Sequence, residues 1–298
     1  MTTSPSEKTG ITLMLGSVVA FAVNTLMIRG LSLAVPAADG WVASLFRGVV
    51  GMLIVTAFFI GKGFQPKNLF TRPLLIARGL IGGFGILAFY ITVVHLGAGR
   101  AVIINLSYPI FGCLFASLWL KETLPLRSWA WMGAGFVGLL VFLGFGLEHP
   151  VGRYDLLALA GAVAAGIVIT LIRQLRHTEH TATIYASQCL ASALFAALPA
   201  AQPASTLPPT ALLIMTVAAV LVGLAQLSMT HAYRSLSVAR GSSIQMILPL
   251  VTALGGWAFF DETFTLLEIA GGALTLLATW RVVATPKLII PQPLKAAA

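Results

Sequence analysis

Apolar runs of roughly 20 residues, cut by short polar punctuation, recur along almost the whole of this chain. A helix needs about 20 such residues to cross the hydrocarbon core of a bilayer. Backbone in lipid must also satisfy its own hydrogen bonds, which leaves helices as the fold that runs of this kind permit. The runs predict ten spans. The first five are Ile11–Leu31, Asp39–Ile60, Pro73–Val94, Gly99–Leu120 and Leu126–Gly146. The second five are Tyr154–Leu175, Thr181–Pro199, Pro208–Arg234, Val238–Phe260 and Thr265–Ala284. Gly61-Lys62-Gly63, His149-Pro150 and the Pro/Ser/Thr-rich Ala200–Pro209 mark the cuts. The expected class is therefore all-α integral membrane, with the lipid bilayer as its main partner.

Composition agrees on the solvent. Hydrophobic residues make up 58% of the chain and charged residues 9%, with a mean hydropathy of +0.95. A soluble domain carries about a quarter charged residues, so this chain has too few to cover a water-facing surface. The net charge of +9 would suit a nucleic-acid binder if the basic residues formed one face of a soluble fold. They fall instead in short loops between apolar runs, and no nucleic-acid partner is expected. Cys113 and Cys189 lie inside apolar runs without metal-ligand spacing, so neither a metal nor another cofactor is expected. The short polar lead has no cleavage pattern behind it, which predicts that the first run stays as a helix. Residues 286–298 read as a disordered tail.

Basic residues set the orientation. One set of alternate connections carries Lys8, then Lys62, Lys67 and Arg72, then Lys121 and Arg127, and continues with Arg173, Arg176, Arg234, Arg240, Arg281, Lys287 and Lys295. The opposite set holds Arg29, Arg100 and Arg153 among Asp39, Glu148, Asp155, Asp261, Glu262 and Glu268. The positive-inside rule then puts both termini in the cytoplasm.

The chain is also duplicated. Tyr90–Thr123 lies over Thr230–Thr263 without a gap, at an offset of about 140 residues. Leu96 falls on Leu236, Arg100 on Arg240, Pro109 on Pro249, Glu122 on Glu262 and Thr123 on Thr263. Five spans per half would insert the second half upside down. Lys121 on the basic side has accordingly become Asp261 on the other. The halves are expected as residues 1–150 and 151–285, related by a pseudo-twofold axis in the membrane plane.

Trp119-Leu120-Lys121-Glu122-Thr123 and its copy Phe259-Phe260-Asp261-Glu262-Thr263 resemble the EamA repeat, which defines the drug/metabolite transporter superfamily. Phe46-Arg47 and the run from Glu262 to Gly271 match as well, and the resemblance covers about residues 10 to 285. It implies an inner-membrane, ten-helix carrier for amino acids, sugars, nucleotide-linked solutes, riboflavin or drugs. In general likeness the chain is most similar to the YddG-type amino-acid exporters. That implies an amino-acid substrate, aromatic or neutral, with a riboflavin, nucleotide-type or drug exporter as the alternative.

Polar residues inside the spans are the candidates for a substrate site. Pro109 and Pro249 stand mid-span, and each would free the carbonyl four residues back, on Asn105 and Gln245. These repeat-related amides serve either a substrate or gating site, or simply patch the kinks. Asn24, Gln188 and Gln226 face a cavity or bridge helices. Arg47, about eight residues into a span, binds a substrate carboxylate or locks helix-end carbonyls. Tyr108 offers its ring to a substrate or to packing. Glu122 and Glu262 read as helix-opening carboxylates favoured by the helix dipole. No Asp or Glu falls mid-span, and His95 and His231 lie at span ends, so transport driven by the substrate gradient is expected. Gly79-x-x-x-Gly83 and Ala162-x-x-x-Gly166 provide close-packing faces, for sliding halves or for a homodimer.

An intramembrane enzyme is disfavoured. Arg240-Gly241-Ser242 has no paired histidine, and Asp39, Asp155 and Asp261 are the only aspartates, none of them mid-span. The expected function is a carrier that exports small amino-acid-like solutes by alternating access.

Overall fold

The computed structural model describes residues 5–120, 125–142, 151–175, 178–232, 235–236, 244–245 and 247–284. Among them regular structure is helical, and the one β-type pairing is an isolated bridge between Ile60 and Phe64. Lys121 to Thr123, Glu148 to Pro150, Arg176, His177, Arg234, Arg240 to Ser242 and the tail from residue 286 lie outside the described residues, as does the side chain of Cys113.

Helix α1 runs Pro5–Ala34 and α2 runs Gly40–Phe59. Asp39 fixes the start of α2 by accepting from the backbone N–H of Trp41 and Val42, both at 2.9 Å. Gly61 and Gly63, at φ 72° and 110°, turn the chain away after its end. A single turn, α3 (Asn68–Thr71), leads to α4 (Pro73–Leu96), where Pro73 occupies the first turn and gives up an N–H that had no partner there. Gly97 at φ 91° breaks α4 from α5 (Ala98–Asn105), and α6 (Tyr108–Leu120) comes next.

The predicted fourth span is thus two helices. Leu106 donates to the Val102 carbonyl at 2.8 Å, Ser107 N–H and Oγ both donate to Ile104, and Ile110 N–H returns to Ser107. Pro109 sits in the first turn of α6, where its missing N–H costs nothing, and does not kink a continuous helix. Beyond α7 (Leu126–Phe142) lie α8 (Arg153–Leu175) and α9 (Thr181–Ser205), the latter continuing past Pro199 and Pro203. The last three are α10 (Pro209–Ala232), α11 (Ile247–Phe260) and α12 (Leu266–Ala284).

Six of these helices are long and apolar enough to cross a membrane, and α7 and α11 are shorter apolar helices. Large apolar side chains such as Phe58, Leu198, Leu213 and Trp257 point outward, as they would toward lipid. This is a multi-pass membrane protein.

Packing pairs α2 with α9, α1 with α10, α4 with α8 and α9, and α7 with α12, while α6 rests on α8 and α11 on α1 and α5. Small residues set the closest approaches. A Cβ at Gly79 would fall 2.6 Å from the Ser187 carbonyl on α9, and one at Gly166 would fall 2.8 Å from the Gly112 nitrogen on α6. Both small-residue faces read from the sequence are therefore filled within this chain.

Candidate functional site

A cavity of about 430 Å³ opens between α1, α2, α4, α8, α9, α10 and α11 and the α5–α6 break. Asn24, Arg47, Asn105, Tyr108, Gln188, Gln226 and Gln245 all line it. The physical reason for this gathering is simple. Each is a polar exception on an otherwise apolar helix, and burial against other helices is cheaper for it than exposure to lipid.

Two hydrogen-bonded groups reach the polar wall. In the first, Tyr90 donates to Asn24 Oδ1 at 3.0 Å, and Asn24 Nδ2 donates to the Ala218 carbonyl at 2.9 Å. Arg47 Nη2 donates to Gln226 Oε1 at 3.1 Å, and Nη1 lies 3.4 Å from the Tyr90 hydroxyl, with the guanidinium over the Tyr90 ring. One chain of side chains thus ties α1, α2, α4 and α10 together. Asn24 is both a bridge between helices and part of the wall. Arg47 bonds a phenol and an amide, and the helix-end carbonyls named as its structural alternative are not among its partners.

The second group straddles the helix break. Tyr108 donates to Gln245 Oε1 at 2.6 Å, and Gln245 Nε2 lies 2.7 Å from Met229 Sδ. This joins the first half of the chain to the second at the level of Pro109 and Pro249. Asn105, last residue of α5, lines the same cavity, its amide nitrogen toward Gly161 of α8.

Arg78 joins the site without having stood out in the sequence. It lies in the second turn of α4, is 1% exposed, and lines the cavity. Its Nη2 donates to Gln188 Oε1 at 2.7 Å, and Nε and Nη1 have no partner. Its closeness to Arg72 makes it read as loop-flanking charge, although an intramembrane cation is itself a functional signal. Glu179 is a second addition. It reaches the wall from the α8–α9 connection, where Asn68 Nδ2 donates to both its oxygens and Arg72 lies 3.8 Å away.

The opposite end of the bundle is built differently. Arg29 Nε donates to Glu262 at 3.1 Å and its Nη1 to the Val94 carbonyl at 2.6 Å. Glu262 also accepts from the N–H groups of Ala98 and Gly99, at 2.8 and 3.0 Å. It therefore caps α5 across the bundle and not α12, the next helix in sequence, which corrects its reading as a residue opening its own helix. Arg100 bridges Asp155 and Glu268, and Glu268 caps α12 through Thr265. None of Arg29, Arg100, Glu262 or Glu268 lines the cavity.

The EamA-like transporter model matches this chain twice, over residues 8–144 and 152–284. The chain belongs to the EamA-like transporter family. It is a transporter and not an enzyme. Among similar proteins are the pseudopaline exporters CntI of two Pseudomonas aeruginosa strains, UCBPP-PA14 and PAO1. Each is 26% identical over 274 residues, covering 91% of this EamA-like chain and 94% of the exporter. A protein of known crystal structure superposes with a TM-score of 0.62 at 17% identity, covering 93% of this chain and 96% of its own. That likeness concerns the fold alone.

Proposed function

We propose that this EamA-like transporter is an inner-membrane carrier exporting small metabolites of the amino-acid class, through alternating access between two inverted five-helix halves. Its termini are cytoplasmic, and Asn24, Arg47, Asn105, Tyr108, Gln188, Gln226 and Gln245 contact the substrate. The observation that carries the reading is the meeting of polar side chains from both halves in one cavity between them. Such a placement is where carriers built from inverted repeats bind their cargo.

Helix packing supports the inverted pair. Under the duplication, α1 corresponds to α8, α2 to α9, α4 to α10, α6 to α11 and α7 to α12. The α1–α10 contact then maps onto α8–α4, α2–α10 onto α9–α4, and α6–α8 onto α11–α1, while α2–α9 and α7–α12 map onto themselves. Every one of these images is an observed contact. Outward transport is supported by the exporters that resemble the chain. On this reading the cavity reaches the cytoplasmic end at Glu179 and Thr181, and the Arg29 and Arg100 ion pairs close the external end. Those pairs must part, and Pro109 and Pro249 sit at the helix starts that would move.

Counterflow in proteoliposomes tests the proposal at zero pH gradient, with vesicles preloaded in turn with amino acids of each chemical class, flavins and nucleosides. Exchange of one or more of them supports an uncoupled amino-acid carrier. Exchange of flavins or nucleosides alone would replace the substrate class, and revival of transport only under a proton gradient would refute uncoupled transport.

A further inference from the structure

Two guanidinium groups line the cavity without a carboxylate bonded to either. Arg47, 4% exposed, bonds Gln226 and Tyr90, and Arg78, 1% exposed, bonds Gln188, so every partner is neutral. Among the described residues the one carboxylate in the wall is Glu179, and it is held by Asn68 and Arg72. The arginines come from helices that meet the same turn of α9: beside Arg47, Gly48 packs on the Cys189 carbonyl, and beside Arg78, Gly79 packs on that of Ser187. A buried charge taken from water without a counterion is costly, and two like charges in one wall add repulsion. Selection has an obvious use for such a cost only if something else supplies the anion.

From this we infer that the substrate supplies it: the cargo carries two carboxylates, one met at Arg47 and one at Arg78. This rests on the carrier reading of the same cavity and replaces the neutral or aromatic amino acid with an amino dicarboxylate or a related polycarboxylate. Arg78 is the stronger anchor, because it lines the cavity while its Nε and Nη1 lie buried behind that surface with no hydrogen-bond partner. Gly82 helps to make the site, since a Cβ there would fall 2.7 Å from Nη1. Phe21, Ile86, Phe89 and Leu248 give the rest of the wall an apolar surface for the cargo's carbon frame. A charged cargo also explains outward movement without a proton-binding carboxylate in the spans. An anion leaves an inside-negative cell down the electrical gradient.

Ligand binding to the purified full chain tests this, with L-glutamate, succinate and citrate each compared with its amide: glutamine, succinamide and citramide. Binding is read by the rise of the thermal unfolding midpoint with ligand concentration. The acids are expected to bind at least about tenfold more tightly than their amides, as charge-assisted bonds to arginine require. Arg78→Gln should cut that preference several-fold and leave only the part owed to Arg47, whereas Arg78→Lys should cut it less. The acid–amide comparison on the wild-type chain needs no variant to fold. Equal binding of acid and amide, or no binding of any acid up to millimolar concentration, overturns the inference. Counterflow then separates it from the carrier reading. Exchange of neutral amino acids alone overturns the dicarboxylate inference and leaves the carrier intact. Acid-selective binding without exchange in vesicles supports the site and counts against the carrier.

Discussion

Four arginines divide this molecule into two regions. At one end Arg29 and Arg100 are met by Glu262, Asp155 and Glu268, carboxylates that all come from the other half of the chain. In the cavity Arg47 and Arg78 have amides and a phenol for company. The same side chain therefore does two jobs, and the partner tells them apart. Where the protein supplies the anion, the arginine clasps the halves together. Where it does not, the arginine is held ready for a charge that arrives from outside.

The largest effect is expected from breaking the clasp. Glu262→Gln leaves Arg29 without its anion and removes a charged cap from α5. Stripping one partner of a buried pair should cost about 3 kcal/mol in unfolding free energy. Unfolding in detergent would measure it, and an unchanged midpoint would show the clasp to be decorative.

Next comes the cavity arginine itself. Arg78→Gln should lower transport by about tenfold or more, the scale of a lost charge-assisted bond. Its folded fraction should match wild type or exceed it, since removing an unanswered buried charge relieves a cost. Flux assays and unfolding on the same preparation give both numbers. A loss of stability larger than the loss of transport would put Arg78 in the same class as Arg29.

The two repeat-related amides sharpen the comparison within the cavity. Asn105→Ala should reduce flux several-fold and leave the inserted, folded fraction near wild type. Gln245→Ala should reduce flux as well and also cost about 1 kcal/mol, because Gln245 accepts the Tyr108 hydroxyl. Parallel loss of flux and fold in both variants would make the amides structural. The smallest effect belongs to Gly82→Ala. The methyl crowds the flexible end of Arg78, so affinity should fall by about threefold with little change in stability.

Much of this is legible in the sequence, and the exceptions have physical reasons. The second helix is readable almost to the residue, because Asp39 caps its start and Gly61 turns the chain just past its end. Polar residues inside apolar runs point to the cavity, since lipid gives them nowhere else to face. The broken fourth span is not legible. Proline mid-run signals a kink or a new helix start equally well, and only the Ser107 turn decides between them. Glu262 is misread from sequence because its partners are remote: Arg29 lies 233 positions away and Ala98 lies 164 away. Local dipole reasoning sees only the next helix. Arg78 escapes notice because it is close in sequence to a basic loop, while its burial comes from α9.

The division between the arginines is tested most directly by unfolding Arg29→Gln and Arg78→Gln side by side, in the same detergent and without ligand. Arg29→Gln is expected to lower the midpoint by several degrees, and Arg78→Gln to leave it unchanged or raise it. A fall for Arg78→Gln as large as that for Arg29→Gln would contradict the division and make the cavity arginine part of the scaffold.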